Sequence, residues 1–350
     1  MNTTTDTTGT EPTMLTDDPA HVTDAEAIQA DGSARAKLGG ALGRMGNLGL
    51  VGAIVLVALV GAVTAPDNFL TSDNLLTILR QAAVIGVVTV GMTFVIIGGG
   101  IDLSVGALVA LASVWATTGA TQEFGVLGMV GVALLVGTLA GLVNGVLIAY
   151  GRVVSFIATL AMLVSARGLA ANISNKRVQL VEVQGFTEIS QGDFLGLPNL
   201  VWVVAIVFVV GWVLLNRTTF GRHTFAIGGN VEAARLAGIN IRRHTMMLYG
   251  LSGLCTGIGA ILIAARTTTG SSTHGELYEL DAIAAVIIGG TLLTGGKGTI
   301  VGSALGVFIF TLLQNVFALN NLSTDLQNIA KGLIIVAAVL LQMRSARDRA

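Results

Sequence analysis

Residues 125–148 read GVLGMVGVALLVGTLAGLVNGVLI, an apolar run without a single charged side chain. A helix needs about 20 apolar residues to cross the ~30 Å hydrocarbon core of a bilayer. Open strands are excluded at that depth, because their edges would leave backbone N–H and C=O groups without partners. This stretch therefore predicts a transmembrane helix.

The rest of the chain has the same character. Of its 350 residues 53% are hydrophobic and only 11% are charged, whereas a soluble domain carries about 25% charged residues. Glycine occupies 46 positions and proline 4, which favours closely packed transmembrane helices over collagen or low-complexity disorder. The single cysteine, Cys255, excludes an internal disulfide framework and a cysteine-built metal site, and the net charge of −1 shows no nucleic-acid footprint.

Apolar runs between polar breaks predict an all-α integral membrane protein with about ten transmembrane helices. The third and eighth runs are short and interrupted by glycine, so either can be a half-helix. The predicted spans are 48–65, 75–97, 103–120, 125–148, 154–174, 198–215, 245–265, 280–294, 299–318 and 326–342.

Ten crossings place both termini on one side of the membrane, and the positive-inside rule makes that side the cytoplasm. Loops 175–197 and 267–279 then face the exterior. Residues 1–46 are expected to form a disordered, acidic, Thr-rich cytoplasmic tail, 47–343 the membrane domain and 344–350 a short basic cytoplasmic end. The cytoplasmic segments would hold thirteen of the nineteen basic residues: Arg35, Lys37, Arg44, Arg152, Arg217, Arg222, Arg235, Arg242, Arg243, Lys297, Arg344, Arg347 and Arg349.

The largest cytoplasmic loop, residues 216–244, contains the pattern of a short helix. Asn230 can serve as N-cap, Glu232 lies in the first turn, and Gly238 fits the position just after the C-cap. Ala233 and Ala234 leave little side-chain bulk, so another protein could approach the backbone closely. The alternative is a basic, solvated loop whose nascent helix is stabilised by lipid head groups.

A second informative segment surrounds Asp102, which lies between two apolar runs. Asp102 and Ser104 can cap the third helix; a sugar-binding or proton-relay role is the alternative. The glycine run 98–100 favours irregular backbone near a pore or a helix junction. The string Val-Ile-Ile-Gly-Gly occurs at 95–99 and again at 286–290, which permits a two-repeat architecture.

Three basic residues fall inside predicted helices. Arg80 and Lys331 lie close enough to helix ends to extend towards the head groups. Arg167 either pairs with a carboxylate such as Asp102, or its helix ends nearer the surface.

Several motifs together resemble one family. The sequence 232–238 is similar to the EAA-type cytoplasmic loop of ABC importer permeases, and 219–239 resembles their ribose/xylose/galactose branch. Residues 99–106 are similar to the GGIDLSVG signature of those monosaccharide permeases, and 279–290 with 295–298 to their late glycine-rich element. The resemblance extends over roughly residues 65 to 342.

The resemblance implies a type II permease fold, similar to that of the vitamin B12 importer, in a bacterial plasma (inner) membrane. In this family two permease chains form the pore, two cytoplasmic ATPases supply the energy, and an extracytoplasmic protein delivers the sugar. The implied ATPase-coupling residues are Gly229, Asn230, Glu232, Ala233, Ala234, Arg235 and Gly238. The candidates for the translocation path or helix breaks are Gly99, Gly100, Asp102, Ser104, Gly289 and Gly290, and those for binding-protein docking are Glu276 and Glu279.

The chain shows no phosphate loop of its own. The nearest segment, 291–298, lacks the first glycine and the final Ser or Thr of the G-x-x-x-x-G-K-[ST] pattern. ATP and Mg²⁺ would therefore be used by the partner ATPase, and this chain is expected to have no cofactor, catalytic residue or metal site. The second hypothesis is an ion-coupled secondary transporter of a small polar solute. A membrane enzyme is third, since neither HExxH nor GxSxG occurs.

Overall fold

The computed structural model describes the backbone of residues 48–347 and the side chains of residues 48–340. The acidic tail predicted for residues 1–46 lies outside the described residues. So does the end of the predicted basic C-terminus, residues 348–350.

The described chain is a bundle of helices with two short pairs of strands. The helices are α1 Leu48–Thr64, α2 Pro66–Phe69, α3 Ser72–Ile97, α4 Val105–Ala116, α5 Gly119–Gln122, α6 Gly125–Ala149, α7 Ser155–Ile173, α8 Gln184–Gln191, α9 Asn199–Arg217, α10 Thr219–Gly229, α11 Val231–Leu236, α12 Ile241–Thr267, α13 Tyr278–Ile288, α14 Ile300–Leu319 and α15 Thr324–Arg347. The strands are β1 Gln179–Leu180, β2 Asp193–Phe194, β3 Leu197–Pro198 and β4 Thr269–Gly270.

Each predicted apolar span coincides with a helix. Within the described residues six helices are long and apolar enough to cross a bilayer: α3, α6, α7, α9, α12 and α14. The last helix continues past the predicted end at residue 342, to Arg347.

The third and eighth predicted spans are half-helices. Helix α4 has 12 residues and α13 has 11, so at about 1.5 Å per residue each covers about half of the hydrocarbon thickness. Every α4 side chain except Trp115 is buried, and Asp102 and Ser104 in the irregular backbone before this helix are also buried by the protein. Non-helical backbone at membrane depth is tolerated only in such surroundings.

Glycines bring α6 and α12 into backbone contact, as the composition predicted. A Cβ on Gly141 of α6 would lie 2.8 Å from the Cα of Gly253 on α12, and one on Gly137 would lie 2.9 Å from the Cα of Gly257. Small residues at spacing i, i+4 allow this approach in membranes, where helix association depends on close packing.

The two loops predicted to face the exterior are joined by a strand pair. Strands β1 and β4 are antiparallel, with Gln179 opposite Gly270 and Leu180 opposite Thr269. Strands β2 and β3 form a second pair within the first loop. The sequence analysis did not predict these strands, because each has only two residues and no alternating pattern.

The prediction for Lys331 was wrong. Its Nζ lies 3.2 Å from Asp281 Oδ1, and both side chains are largely buried between α13 and α15. Lys331 therefore forms an ion pair inside the protein instead of extending to the head groups. Arg80 is half-buried, and its Nε is enclosed by the protein.

Candidate coupling helix and helix breaks

Helix α11 is closed at both ends by the residues predicted to close it. The Oδ1 of Asn230 accepts a hydrogen bond from the N–H of Ala233 at 3.0 Å. After the helix Gly238 adopts a left-handed conformation with φ of 81°, and the N–H of Ile239 donates to the carbonyl of Ala234 at 3.1 Å. This is a Schellman C-cap, and it requires a residue that tolerates positive φ.

The face that α11 presents to solvent differs from the prediction. Ala234 is only 3% exposed and packs against its own chain, so this side chain does not offer a docking contact. Leu236, which the sequence analysis did not select, is 89% exposed, and Val231 is 43% exposed. Glu232 and Arg235 form an exposed ion pair at 2.9 Å. A leucine two residues before the C-capping glycine was the signal available in the sequence.

Helix α10 carries α11 on a packed support. The sequence analysis treated residues 219–229 as loop, but Phe220 packs against Phe94 of α3 with ring centroids 5.9 Å apart and against His244 of α12 at 4.6 Å. Thr224 Oγ1 hydrogen-bonds His244 Nε2 at 2.9 Å. Since Asn230 ends α10 and begins α11, the two helices are joined without a flexible linker.

A basic cavity of about 670 Å³ lies beside α11. It is bounded by the end of α6, by α11 and by the start of α12, and three arginines, Arg152, Arg235 and Arg242, line it. Arg235 is already paired with Glu232, so Arg152 and Arg242 are the guanidinium groups of this surface that favour acidic groups from a binding partner.

The two helix breaks have the same local structure. After α3 the N–H of Gly99 donates to Ile96 and that of Gly100 to Val95; after α13 the N–H groups of Gly290 and Thr291 donate to the equivalent carbonyls. The φ values of Gly99 and Gly290 are 83° and 85°. The repeated pentapeptide therefore forms the same Schellman end twice.

The neighbouring glycines allow close packing. A Cβ on Gly100 would collide with the hydroxyl of Tyr249, and one on Gly289 would lie 2.7 Å from the backbone nitrogen of Ser303 on α14. The backbone of α14 requires glycine at 289, whereas the crowding at Gly100 comes from the end of the Tyr249 side chain.

The sequence analysis predicted that Asp102 caps the first turn of α4. That prediction was wrong. Its Oδ1 accepts from the N–H and the hydroxyl of Ser104, and its Oδ2 accepts from the hydroxyl of Ser252 on α12 at 2.9 Å. Asn144 of α6 donates to the Ser104 hydroxyl at 2.9 Å. Asp102 and Ser104 are fully buried, so this polar cluster ties the start of α4 to α6 and α12.

Arg167 does not pair with Asp102. Its guanidinium donates to the carbonyls of Ser272 and His274, both at 2.8 Å, and so holds the loop between α12 and α13. In that loop, burial, with the charges of Arg266 and Arg167 as smaller causes, lowers the pKa of His274 to about 4.

The two glutamates proposed for docking differ in exposure. Glu276 is exposed, whereas Glu279 is 9% exposed in the first turn of α13. Glu279 therefore cannot serve as a surface contact.

The described residues contain no group of three or more His, Cys, Asp or Glu that could hold a metal ion. Segment 291–298 joins α13 to α14, so the element directly before it is a helix and not a strand. It is thus a turn of the membrane domain and lacks the strand-to-helix setting of a phosphate loop.

The sequence of residues 74–339 matches the family described as branched-chain amino acid transport system / permease component. The chain belongs to this permease family. The permease is 40% identical to the ribose import permease protein of Haemophilus influenzae, over 82% of this chain and 90% of the relative. It is 41% identical to the ribose import permease protein of Bacillus subtilis, over 87% of this chain and 95% of the relative. The L-arabinose ABC transporter permease protein of Azospirillum brasilense is 38% identical, over 90% of this chain and 93% of the relative. No solved structure matches the permease.

These relatives confirm the predicted resemblance to ABC monosaccharide permeases. With the apolar helices of the bundle, family membership makes the chain a multi-pass membrane protein.

Proposed function

We infer that this permease is the transmembrane subunit of an ATP-driven, binding-protein-dependent sugar importer. Two copies would form the translocation pathway, and a separate cytoplasmic ATPase would drive it. The observation that carries the proposal is α11: a helix capped at both ends, held on a packed support, with Leu236 almost fully exposed. Burial of the exposed Leu236 side chain against a partner protein would remove its apolar surface from water and so favour binding at α11.

The proposed topology has ten crossings with both termini in the cytoplasm. It adds α1, α15 and the half-helices α4 and α13 to the six long apolar helices. The positive-inside rule supports the orientation, because the arginine cavity then lies in the cytoplasm. In this orientation α11 also lies on the side where ATP is available. The type II permease fold belongs to the same proposal.

The exterior face would receive the sugar-binding protein. The β1–β4 pair holds its two loops together, and Arg167 fixes one of them through two carbonyls, so the surface is preorganised. Glu276 is the exposed acidic residue proposed as a contact on this surface.

The proposed substrate class is a monosaccharide, because the similar permeases are named for ribose and L-arabinose, and a third for xylose. These substrates are pentoses. A panel of D-ribose, L-arabinose and D-xylose is therefore the first set to test.

The test is uptake by proteoliposomes that contain the permease, its ATPase and its binding protein. We expect uphill accumulation of a radiolabelled pentose that requires all three proteins, with ATP on the same side of the membrane as the ATPase. Accumulation by the permease alone under a proton or sodium gradient would favour the ion-coupled secondary transporter and would contradict the proposal. If the complex takes up none of the three pentoses in the presence of ATP, the expectation of a pentose substrate is refuted.

A further inference from the structure

Three segments of the permease meet through their backbones beside the coupling region. The N–H of Gly296, in the turn 292–297, donates to the carbonyl of Ile97 at 2.8 Å. Ile97 is the last residue of α3, and the turn follows the break after α13. This hydrogen bond connects the two helix breaks directly.

The end of α10 enters the same contact. A Cβ on Gly228 would collide with the carbonyl oxygen of Ile97 and lie 2.6 Å from the nitrogen of Gly296. Gly228 does not have positive φ, so its backbone conformation would allow other residues. Glycine is required here because of the close contact. A Cβ on Gly295 would lie 2.9 Å from the carbonyl oxygen of Gly228 and 3.0 Å from the Cα of Gly99.

The contact is two residues from the N-cap of α11, the proposed coupling helix. Gly228 precedes Gly229 and Asn230, and Asn230 is the N-cap of α11. Because aromatic packing fixes α10 against α3 and α12, a displacement of α11 cannot be taken up by a loose linker. It has to move Gly228, and with it the atoms that Gly228 touches.

We propose that this backbone junction, formed by Ile97, Gly228, Gly295 and Gly296, passes the movement of α11 to both helix breaks at once. Gly228 and Gly295 are then positioning residues for transport. The inference rests on the proposed function, since it assigns the route by which an ATPase bound at α11 would act on the bundle. Contacts between backbones transmit displacement well, because no side-chain rotation can relax them.

Two variants test the junction. Gly228→Ala forces the backbones apart, and Gly295→Ala introduces the milder clash together with strain at φ of 86°. Gly253→Ala is the matched control, because it is equally crowded by the backbone of Gly137 but lies between α6 and α12. Gly168→Ala, with open space around the new methyl group, controls for the substitution itself.

The measurement is pentose uptake and ATP hydrolysis in the same proteoliposomes, with the complete complex. We expect Gly228→Ala and Gly295→Ala to retain ATPase binding and ATP hydrolysis. The number of pentose molecules transported per ATP should fall by at least about 5-fold. Gly253→Ala should lower uptake and hydrolysis together, in proportion to the amount of folded complex. Hydrogen exchange at the Gly296 amide should accelerate only in the two junction variants.

A proportional fall of uptake and hydrolysis in both junction variants, or loss of the folded complex in both, would overturn the inference, since the glycines would then serve packing alone. Unchanged pentose uptake per ATP in both junction variants would also overturn the inference. These results differ from a failure of the proposed function, in which the unsubstituted complex itself shows no ATP-dependent uptake.

Discussion

An ion pair connects the last described helix to the interior of the permease. Lys331 of α15 and Asp281 of α13 are 17% and 4% exposed, and Gln314 of α14 donates to the same carboxylate at 3.3 Å. Removing one partner from a buried pair leaves a charge without compensation, whereas removing both can be neutral.

We therefore expect Lys331→Met to destabilise the permease by about 3–5 kcal/mol, and the double variant Asp281→Leu with Lys331→Met to recover most of that loss. Unfolding of the purified protein in detergent, followed in a double-mutant cycle, measures both values. Equal destabilisation by the single and double variants would contradict the pair's proposed effect.

His274 gives the permease a pH-dependent stability. Burial first, and then the charges of Arg266 and Arg167, lower its pKa from 6.5 to about 4. Between those values the unfolded chain binds a proton that the folded chain does not, so the free energy of unfolding falls as the pH decreases from 6.5 to about 4.

His274→Gln should therefore reduce the loss of thermal stability between about pH 7 and about pH 5, since glutamine does not titrate there. A pH dependence identical in the unsubstituted protein and His274→Gln would show that this imidazole does not contribute.

At the scale of the helices, close packing of α6 on α12 is the feature that glycine composition predicted. Two glycines of α6 provide a matched comparison: a Cβ on Gly141 would lie 2.8 Å from Gly253, whereas one on Gly131 has open space. Gly141→Ala should cost about 1–3 kcal/mol through overpacking. Gly131→Ala should stabilise by up to about 1 kcal/mol through helix propensity. Thermal unfolding in detergent would distinguish them, and equal midpoints would contradict the packing argument.

The ends of helix α11 were predictable from the sequence, but its exposed and buried faces were not. Asn230 and Gly238 carry local signals, because a cap needs a short polar acceptor and a C-terminal glycine needs positive φ. Which side of α11 faces outward depends on α10, whose packing on Phe94 and His244 is tertiary and leaves no periodic pattern. For this reason Ala234 was assigned to the surface and Leu236 was overlooked.

Leu236→Ser should weaken ATPase binding about tenfold or more, because a leucine buried in an interface contributes about 1.5–3 kcal/mol. The thermal stability of the permease alone should not change, since the side chain is 89% exposed. Leu127→Ser, at an equally exposed position of α6 far along the chain, is the control. Unaltered affinity of the Leu236 variant, measured by titration of the ATPase onto the permease in nanodiscs, would remove Leu236 from the interface.

At the scale of the whole molecule, hydropathy located all six described helices that are long and apolar enough to cross a bilayer, because a bilayer imposes length and composition on each segment separately. It also indicated the half-helices α4 and α13 through their short, glycine-interrupted runs. The partners of charged residues inside the bundle were not predictable. Arg167 bonds carbonyls at 272 and 274, and Lys331 reaches Asp281, and both contacts depend on which helices become neighbours.

The central claim is that α11 faces the cytoplasm and is covered by an ATPase. Its most direct test is labelling of Glu232→Cys, in a Cys255→Ala background, by a membrane-impermeant maleimide in inside-out and right-side-out vesicles. Glu276→Cys serves as the exterior control. We predict that the cysteine at 232 is labelled only in inside-out vesicles and is protected when the ATPase is added, while that at 276 is labelled only in right-side-out vesicles. Labelling of position 232 from the exterior, or labelling that the ATPase leaves unchanged, would contradict the account.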